Sequence, residues 1–381
     1  MKGMKHTMIY LDYSATTPVD ERVLESYNRV CREYPGNSNS LHSLGIKSKS
    51  LENYATEQIA KLLKVKKSEI IYTSGASESN NLAIKGICEK YQNRGKHIIT
   101  TFLEHSSVIE PLTYLSNQGF EVDFVKINDN GLVDLEDLKN LLRDDTILVS
   151  ISMVDSEIGI KQPIKEISEI IKKYPKCYFH VDCTQAVGKI PLDLSNIDLA
   201  SMSAHKIYGL KGIGLLIKKE NIVIEPLIHG GKSTTNYRSG TPALPLIVSL
   251  TKALELIIPE VSKNLNYLKD LNNQIITHLS KYDNVHINST EHSIPHTINF
   301  SIQGIKPETF LHALDEHEIY ISTKSACSGT DTISHAVYAV TKNRELANQS
   351  LRISLSYLTT KEEITTFLET FDKCLNKLKL K

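Results

Sequence analysis

From about residue 70 to about residue 182, short β-rich segments alternate with amphipathic helical patterns. The segment EIIYTS precedes ESNNLAIKGICEKY, for example, and TILVSISMV precedes IKEISEIIKKY. This alternation is typical of βαβ units, in which helices cover a mostly parallel sheet. Ligands bind such sheets beyond the carboxyl ends of the strands. The sequence therefore predicts an α/β fold whose functional residues follow the strands.

The pattern changes after the segment RSGTPALP. Residues 246–281 read as one or two long amphipathic helices, interrupted near Pro259. Beyond them, two β-rich segments and helical patterns at 307–315 and 361–378 indicate an α+β unit. Because a chain of 381 residues is too long for one small core, we expect a large domain and a smaller one.

The composition limits the classes of function. Lys+Arg and Asp+Glu each total 44, so the net charge of zero gives non-specific nucleic-acid binding no support. No apolar segment has the length of a membrane span, and Asp12 interrupts the N-terminus before a signal-peptide stretch forms, so we expect a cytosolic protein. The six cysteines form no C-x-x-C pair, which argues against a disulfide framework and a zinc site. We expect five of them to be inert buried thiols.

A glycine turn in IYTSGASESNN joins a β-rich segment to the start of a helix. The backbone N–H groups and the dipole at such a helix start favour a phosphate. The alternative is an ordinary strand-to-helix connection with a capping residue, and this segment alone does not decide between them.

The segment DLASMSAHKIYGLKGIG places Ser203, His205 and Lys206 after a short β-rich run and before three glycines. A lysine between a hydroxyl, an imidazole and a flexible loop is a candidate for Schiff-base formation, because its amine must lose a proton to attack an aldehyde. The alternative is a surface lysine before a glycine turn.

In YFHVDCTQAVG an apolar segment ends in Asp182, and Gln185 follows. A carboxylate at a strand end can hold the protonated pyridine nitrogen of pyridoxal 5′-phosphate (PLP) and make the ring a better electron sink. The alternative is a capping aspartate. The PLP interpretation gains weight because the next β-rich run would return the chain to the same crevice.

These motifs together resemble those of cysteine desulfurases of the NifS/IscS group, within the class V aminotransferase family of PLP fold type I. The resemblance runs from about residue 8 to residue 375. It implies a mostly parallel, seven-stranded-type sheet in a large domain, and a small α+β domain with the catalytic cysteine loop at about 322–335. The large domain would span 15–255, and the small one 1–14 and 256–381. The motifs shared in order are TSGASESNN, EHSSV, HVDCTQAVGKIPLDL, SAHKIYGLKGIG, RSGT, SACSG and LRISLSYLTTKEE.

The resemblance also implies a role for each motif residue around PLP and an L-cysteine substrate. Lys206 would hold PLP as a Schiff base, Asp182 would pair with the pyridine nitrogen, and His105 would stack on the ring and relay protons. The other implied contacts are Gln185 to the phenolic oxygen, Ser156 to the cofactor, Ala76, Ser77, Ser203 and His205 to the phosphate, Thr241 to the phosphate of the other subunit of a homodimer, and Arg352 to the substrate carboxylate.

Cys327 lies in STKSACSGTDT, where small and polar residues without apolar periodicity predict a loop. By the resemblance, this thiol takes the sulfur of PLP-bound cysteine, L-alanine is released, and the persulfide passes to an acceptor. The acceptor would be an iron–sulfur scaffold protein or a tRNA-thiolation enzyme.

Several positions depart from the family pattern. Asp155-Ser156-Glu157 stands where the family has Asn-Asn-Glu, so the short Ser156 hydroxyl replaces an amide that reaches PLP and substrate. The other departures are Lys232 and Thr234 in HGGKST, Lys324 in the cysteine loop, Leu210 and Ser356. Because none of them removes the residues that would do the chemistry, we expect an active enzyme.

Two alternatives remain open from the sequence. Another PLP enzyme, such as a selenocysteine lyase or an aminotransferase, would share most motifs, and Cys327 argues against it. A degenerate desulfurase paralogue acting as a binding subunit would fit the changes at Ser156 and Lys232, and the retained Lys206 argues against that.

Overall fold

The described part of the chain, residues 8–323 and 333–379 of a computed structural model, forms twelve strands and twelve α-helices. The strands are β1 Ile9–Tyr10, β2 Ile70–Thr73, β3 His97–Thr100, β4 Glu121–Phe124, β5 Thr146–Ser152, β6 Tyr178–Asp182, β7 Leu199–Ser203, β8 Gly214–Lys218, β9 Val285–Ile287, β10 Thr297–Ile302, β11 Ile319–Tyr320 and β12 Ser350–Ser354. The helices are α1 Glu21–Glu33, α2 Ser43–Leu63, α3 Ala76–Tyr91, α4 Ser106–Ser116, α5 Leu135–Leu141, α6 Ile164–Ile171, α7 Leu244–Ile257, α8 Val261–Leu279, α9 Pro307–Asp315, α10 His335–Thr341, α11 Arg344–Asn348 and α12 Lys361–Lys379.

Seven strands form one sheet in the order β2-β8-β7-β6-β5-β3-β4. Strands β4, β3, β5, β6 and β7 pair in parallel, and β8 runs antiparallel to both of its neighbours. The predicted α/β class with a mostly parallel seven-stranded sheet is therefore confirmed. In the register, Ser152 pairs with Asp182, and Asp182 pairs with Ser201. The carboxyl ends of β5, β6 and β7 consequently lie side by side at one edge of the sheet.

Apolar clusters cover both faces of this sheet, which explains why its strands read as nearly continuous apolar runs. All seven residues of β5 are buried. Helix α3 packs one face through Leu82, Ala83, Ile84 and Ile87. Its outer positions stay polar, so the helix is fixed in rotation and its N-terminus is aimed at the strand ends.

A second apolar core lies around the three-stranded sheet β12-β10-β9 and helices α8, α9 and α12. Ile9 and Leu11 join it from the N-terminus, where β1 pairs in parallel with β11. Two separate cores support the expected small α+β domain, although its boundaries stay a prediction. The expected interruption near Pro259 is a single 3-10 turn, Ile258–Glu260, between α7 and α8. No helix in the described ranges is both long enough and apolar enough to cross a bilayer.

Helices α1 and α2 precede the alternating pattern and were not predicted. Asp20 caps the start of α1, because its side chain accepts a hydrogen bond from the Arg22 N–H, and the helix buries Val23 and Val30. Cys31 lies on the outer side of α1 and is exposed. The expectation that the five cysteines other than Cys327 are buried is therefore wrong for Cys31. The other described cysteines, Cys88, Cys177, Cys183 and Cys374, are buried.

A close approach between two backbones yields a stability prediction. A Cβ on Gly214 would lie 2.6 Å from the Met202 carbonyl oxygen and 2.7 Å from the Gly75 Cα. Both are backbone atoms, which cannot move aside as the end of a flexible side chain could. We expect Gly214→Ala to lower the free energy of unfolding by about 1–3 kcal/mol, measured by urea denaturation. Gly231→Ala is the matched control, because a Cβ there meets no atom within 4 Å among the described residues. Equal effects of the two substitutions would contradict this account.

Candidate active site

A cavity of about 560 Å³ opens where the carboxyl ends of β5, β6 and β7 meet the start of α3. Ten of the predicted site residues line it: Ala76, Ser77, His105, Ser156, Asp182, Gln185, Ser203, His205, Lys206 and Arg352. Thr241 is exposed and does not line the cavity. Cys327 and Lys324 lie outside the described residues. The structure thus brings together residues separated by up to 276 positions in the sequence, from Ala76 to Arg352.

The start of α3 forms an anion-binding end of the cavity. Gly75 precedes the helix with φ +155°, a conformation that favours glycine, and among the described residues no side chain caps this end. The Ser203 Oγ lies 3.6 Å from the position that a Cβ on Gly75 would take. Backbone N–H groups at a helix start, together with hydroxyls from Ser77 and Ser203, can hold a phosphate.

Asp182 ends β6 and is fixed by two donors. Its Oδ2 accepts a hydrogen bond from Asn80 Nδ2 at 2.8 Å, and its Oδ1 accepts one from the Thr184 N–H at 2.9 Å. Both bonds fix the direction of the carboxylate at the cavity wall. Asn80 was missed from the sequence, although a polar residue on the apolar face of a helix is a signal that could have revealed it.

Lys206 lies in a 3-10 turn directly after β7, and its amine is held by backbone carbonyls from the N-terminal segment. Lys206 Nζ donates to the Ser14 oxygen at 2.5 Å and to the Ala15 oxygen at 2.7 Å. These carbonyls were missed because backbone acceptors leave no side-chain signal in a sequence. They hold the amine at the cavity wall.

The two cavity histidines are both electrically neutral near pH 7. Burial, followed by the charges of Lys206, Lys211 and Lys189, lowers the pKa of His205 to about 4. Burial also lowers the pKa of His105, although the nearby Asp182 carboxylate partly opposes this. His105 Nδ1 accepts the Ser107 N–H at 3.1 Å, so the proton of the neutral ring is assigned to Nε2.

Arg352 lies on β12 and is 1% exposed. Its Nη2 bonds Asp12 Oδ1 at 2.7 Å, and its Nη1 donates to the Ser156 carbonyl at 2.8 Å. Its Nε is buried and has no hydrogen-bond partner in the described part of the chain. The guanidinium is therefore held in a fixed position at the cavity wall, and an arginine placed there suits a carboxylate ligand.

The departure at Ser356 has a structural role. Its Oγ lies 2.6 Å from the Tyr208 hydroxyl and accepts the Leu358 N–H at 3.0 Å. Tyr208 has φ +63°, so this contact helps to hold the strained turn after Lys206. Nothing in the structure explains Lys232, Thr234 or Leu210.

Comparisons with known proteins agree with this geometry. The family model described as Aminotransferase class-V matches residues 9–367. A relative named cysteine desulfurase IscS, from Dictyoglomus turgidum, is 41% identical over 376 residues, covering 97% of this chain and 95% of the relative. A solved structure titled NIFS-LIKE PROTEIN has a TM-score of 0.92 and 37% identity, with 97% of this chain and 100% of that chain covered. Another solved structure, titled "SspA in complex with cysteine", has a TM-score of 0.81 and 32% identity, with 93% of this chain and 100% of that chain covered.

The fold and the cavity residues define an α/β enzyme with a lysine at the strand ends. The chain belongs to the class-V aminotransferase family. Within that family it is similar to the cysteine desulfurases of the NifS/IscS group over nearly its whole length, as the motif order predicted.

Glu104 lies beside His105 and was not predicted as a site residue. Its Oε1 accepts from Thr101 Oγ1 at 2.7 Å and from the Ser152 N–H at 3.0 Å, and its Oε2 accepts from Ser152 Oγ at 2.6 Å. Burial nevertheless raises its pKa to about 7, and the Asp182 charge adds to this effect.

The raised pKa of Glu104 predicts a pH-dependent stability. The folded state holds this proton more tightly than the unfolded state, so stability is lost as pH rises from about 4.5 through about 7. Glu104→Gln removes the charge; its Oε1 can accept from Thr101 Oγ1 and the Ser152 N–H, and its NH₂ can donate to Ser152 Oγ in the reverse direction. We expect it to match the native protein at about pH 5 and to be up to about 3 kcal/mol more stable at about pH 8, measured by thermal and urea unfolding.

Glu89→Gln, at an exposed position on α3, is the control for loss of a surface carboxylate. A stability difference between the Glu104→Gln variant and the native protein that does not grow with pH would contradict the assignment.

Proposed function

We propose that this chain is a PLP-dependent cysteine desulfurase that converts L-cysteine to L-alanine and takes the sulfur onto Cys327 as a persulfide. One observation carries the proposal: Lys206, Asp182 and the uncapped start of α3 meet in one cavity. Similarity to cysteine desulfurases at about 40% identity over nearly the whole chain supports it.

The cavity residues fit PLP at three separate points. The start of α3 with Ser77, Ser203 and His205 suits the phosphate, Asp182 suits a protonated pyridine nitrogen, and the Lys206 amine suits the aldehyde. The cavity volume of about 560 Å³ leaves room for an amino acid beside the cofactor. When bound, PLP supplies an electron sink for negative charge at the substrate α-carbon.

Side chains of the protein would bind the substrate and transfer its protons. Arg352 binds the substrate carboxylate, and the Lys206 amine removes the α-proton. Asp182 would keep the pyridine nitrogen protonated and cationic, and His105 would transfer protons through its neutral ring. Each of these groups is already at the cavity wall, so the protein has little to reorganise before the reaction.

The sulfur step belongs to Cys327. Its thiolate attacks the substrate sulfur, the carbon–sulfur bond breaks, and the electron pair left on the carbon side is protonated at the β-carbon to give L-alanine. The persulfide on Cys327 then passes its outer sulfur to an acceptor protein of iron–sulfur assembly or tRNA thiolation. We place the enzyme in the cytosol, and the free state of all the described cysteines supports a reducing compartment.

A homodimer would complete the site. Thr241 is exposed and outside the cavity of its own chain, as expected for a residue that serves the other subunit. It follows Arg238, which bonds Glu78 in the first turn of α3 at 2.9 Å, so the segment that bears it is anchored near the cavity mouth. Closed two-fold assemblies are the common form for such proteins.

The activity test uses two substitutions with different expected outcomes. With PLP and L-cysteine, the native protein should form alanine and sulfide in the presence of a thiol reductant. Lys206→Ala should lose alanine formation by more than about 1,000-fold, because the acid–base group and the cofactor anchor disappear together. Cys327→Ala should still bind PLP and yet lose sulfide and alanine formation.

Other outcomes separate the competing functions. Full activity of the Cys327→Ala variant would point to a selenocysteine lyase or an aminotransferase, which selenocysteine and keto-acid substrates would then distinguish. A native protein that does not bind PLP would contradict the enzyme proposal and favour a binding subunit.

A further inference from the structure

A second lysine, Lys189, lies buried behind the cavity and has no role in the proposed reaction. It belongs to the turn after β6 and is 7% exposed. Its Nζ donates a hydrogen bond to Gln185 Oε1. Gln185 lines the cavity, whereas Lys189 does not. The lysine therefore contacts the site through the glutamine.

The polarity of its neighbours fixes the direction of the Gln185 amide. Gln185 Nε2 donates to the Ser14 carbonyl at 2.9 Å, and a carbonyl can only accept. A flipped amide would place two oxygens at that distance and would turn its NH₂ toward the Lys189 amine. In the observed direction, Nε2 uses one N–H on Ser14 and has a second to donate, and Gln185 lines the cavity. The cavity is thereby given a donor and not an acceptor.

Lys189 is placed where a charge is costly. Burial, followed by the charges of Lys206 and Arg352, holds the pKa of Lys189 well below its usual range. No carboxylate in residues 8–323 and 333–379 lies within ion-pair distance of it. His296 also faces it, and burial, followed by the Lys189 charge, lowers the pKa of His296 to about 3. An apolar side chain would fill the same space without this desolvation cost, but also without the N–H donors of the amine.

We propose that Lys189 is a positioning residue whose amine holds the Gln185 amide so that its Nε2 donates to the phenolic oxygen of bound PLP. The inference rests on the proposed function, since it needs PLP in the cavity. A donor at this oxygen favours the ionised phenolate over the neutral phenol. Lys189 thereby tunes both the affinity for PLP and the ionisation of its phenolic oxygen without touching the cofactor.

A second route between Lys189 and the site also exists. A void of about 10 Å³, close to the room that one water needs, is bounded by Lys189, Lys206 and His296. Through it, Lys189 could act on the Lys206 amine without Gln185. The experiment therefore has to separate an effect that passes through Gln185 from one that does not.

The test compares Lys189→Met, Gln185→Ala and the double variant in the full-length protein. The dissociation constant of PLP is measured with apoprotein, and the absorbance spectrum of the bound cofactor reports the ionised fraction of its phenolic oxygen. We expect Lys189→Met to weaken PLP binding by about 3- to 10-fold, the value of one hydrogen bond, and to lower the ionised fraction. In the Gln185→Ala background, Lys189→Met should change neither quantity further.

Two more variants guard against a purely structural effect. Lys218→Met removes another buried lysine, which bonds the Ile222 carbonyl far from the cavity lining, and should leave the cofactor spectrum unchanged. Lys189→Gln keeps an N–H donor and should restore most of the native spectrum; it also decides the matter if Lys189→Met does not fold.

The proposal is overturned if Lys189→Met leaves the native spectrum and affinity unchanged, or if its effect is as large without Gln185 as with it. Native protein that binds no PLP overturns this inference and the proposed function together. If the native protein binds PLP normally and Lys189→Met changes neither the PLP affinity nor the spectrum, only this inference is contradicted.

Discussion

The parallel pairing of β5, β6 and β7 is the constraint on which the rest of the structure depends. Because the three strands run in one direction, Ser152, Asp182 and Ser203 end at the same edge of the sheet. A single antiparallel strand among them would send one of these residues to the opposite edge. The antiparallel β8 lies beyond β7, where its glycine lets the start of α3 approach. The cavity thus depends on the direction of these strands and on the absence of a side chain at Gly214.

The electrostatics of the cavity follow from burial on that edge. Burial keeps both histidines neutral, and the other basic side chains that line the cavity are Lys206, Lys211 and Arg352, the last of which is paired with Asp12. Behind the cavity, Lys189 adds an N–H donor to Gln185. Such a site favours an anionic cofactor and a carboxylate substrate, and its polar groups are oriented before either binds.

Much of this could be predicted from the sequence because periodicity and strand-end residues are local signals. The sheet, the interruption of the helices near Pro259 and ten of the residues that line the cavity were anticipated from motifs and their order. Two kinds of feature were not. The backbone carbonyls of Ser14 and Ala15 that hold Lys206 leave no trace in residue identity, and the burial that raises the pKa of Glu104 is a property of the fold. The exposure of Cys31 likewise depends on which side of α1 packs.

The central claim is that PLP binds in this cavity on Lys206, and chemical trapping tests it most directly. The protein loaded with PLP is reduced with borohydride and digested, and mass spectrometry locates the lysine that retains the cofactor. The account predicts that the label is found on Lys206. A label on Lys189 or any other lysine, or none at all under conditions where PLP is in excess, would contradict it.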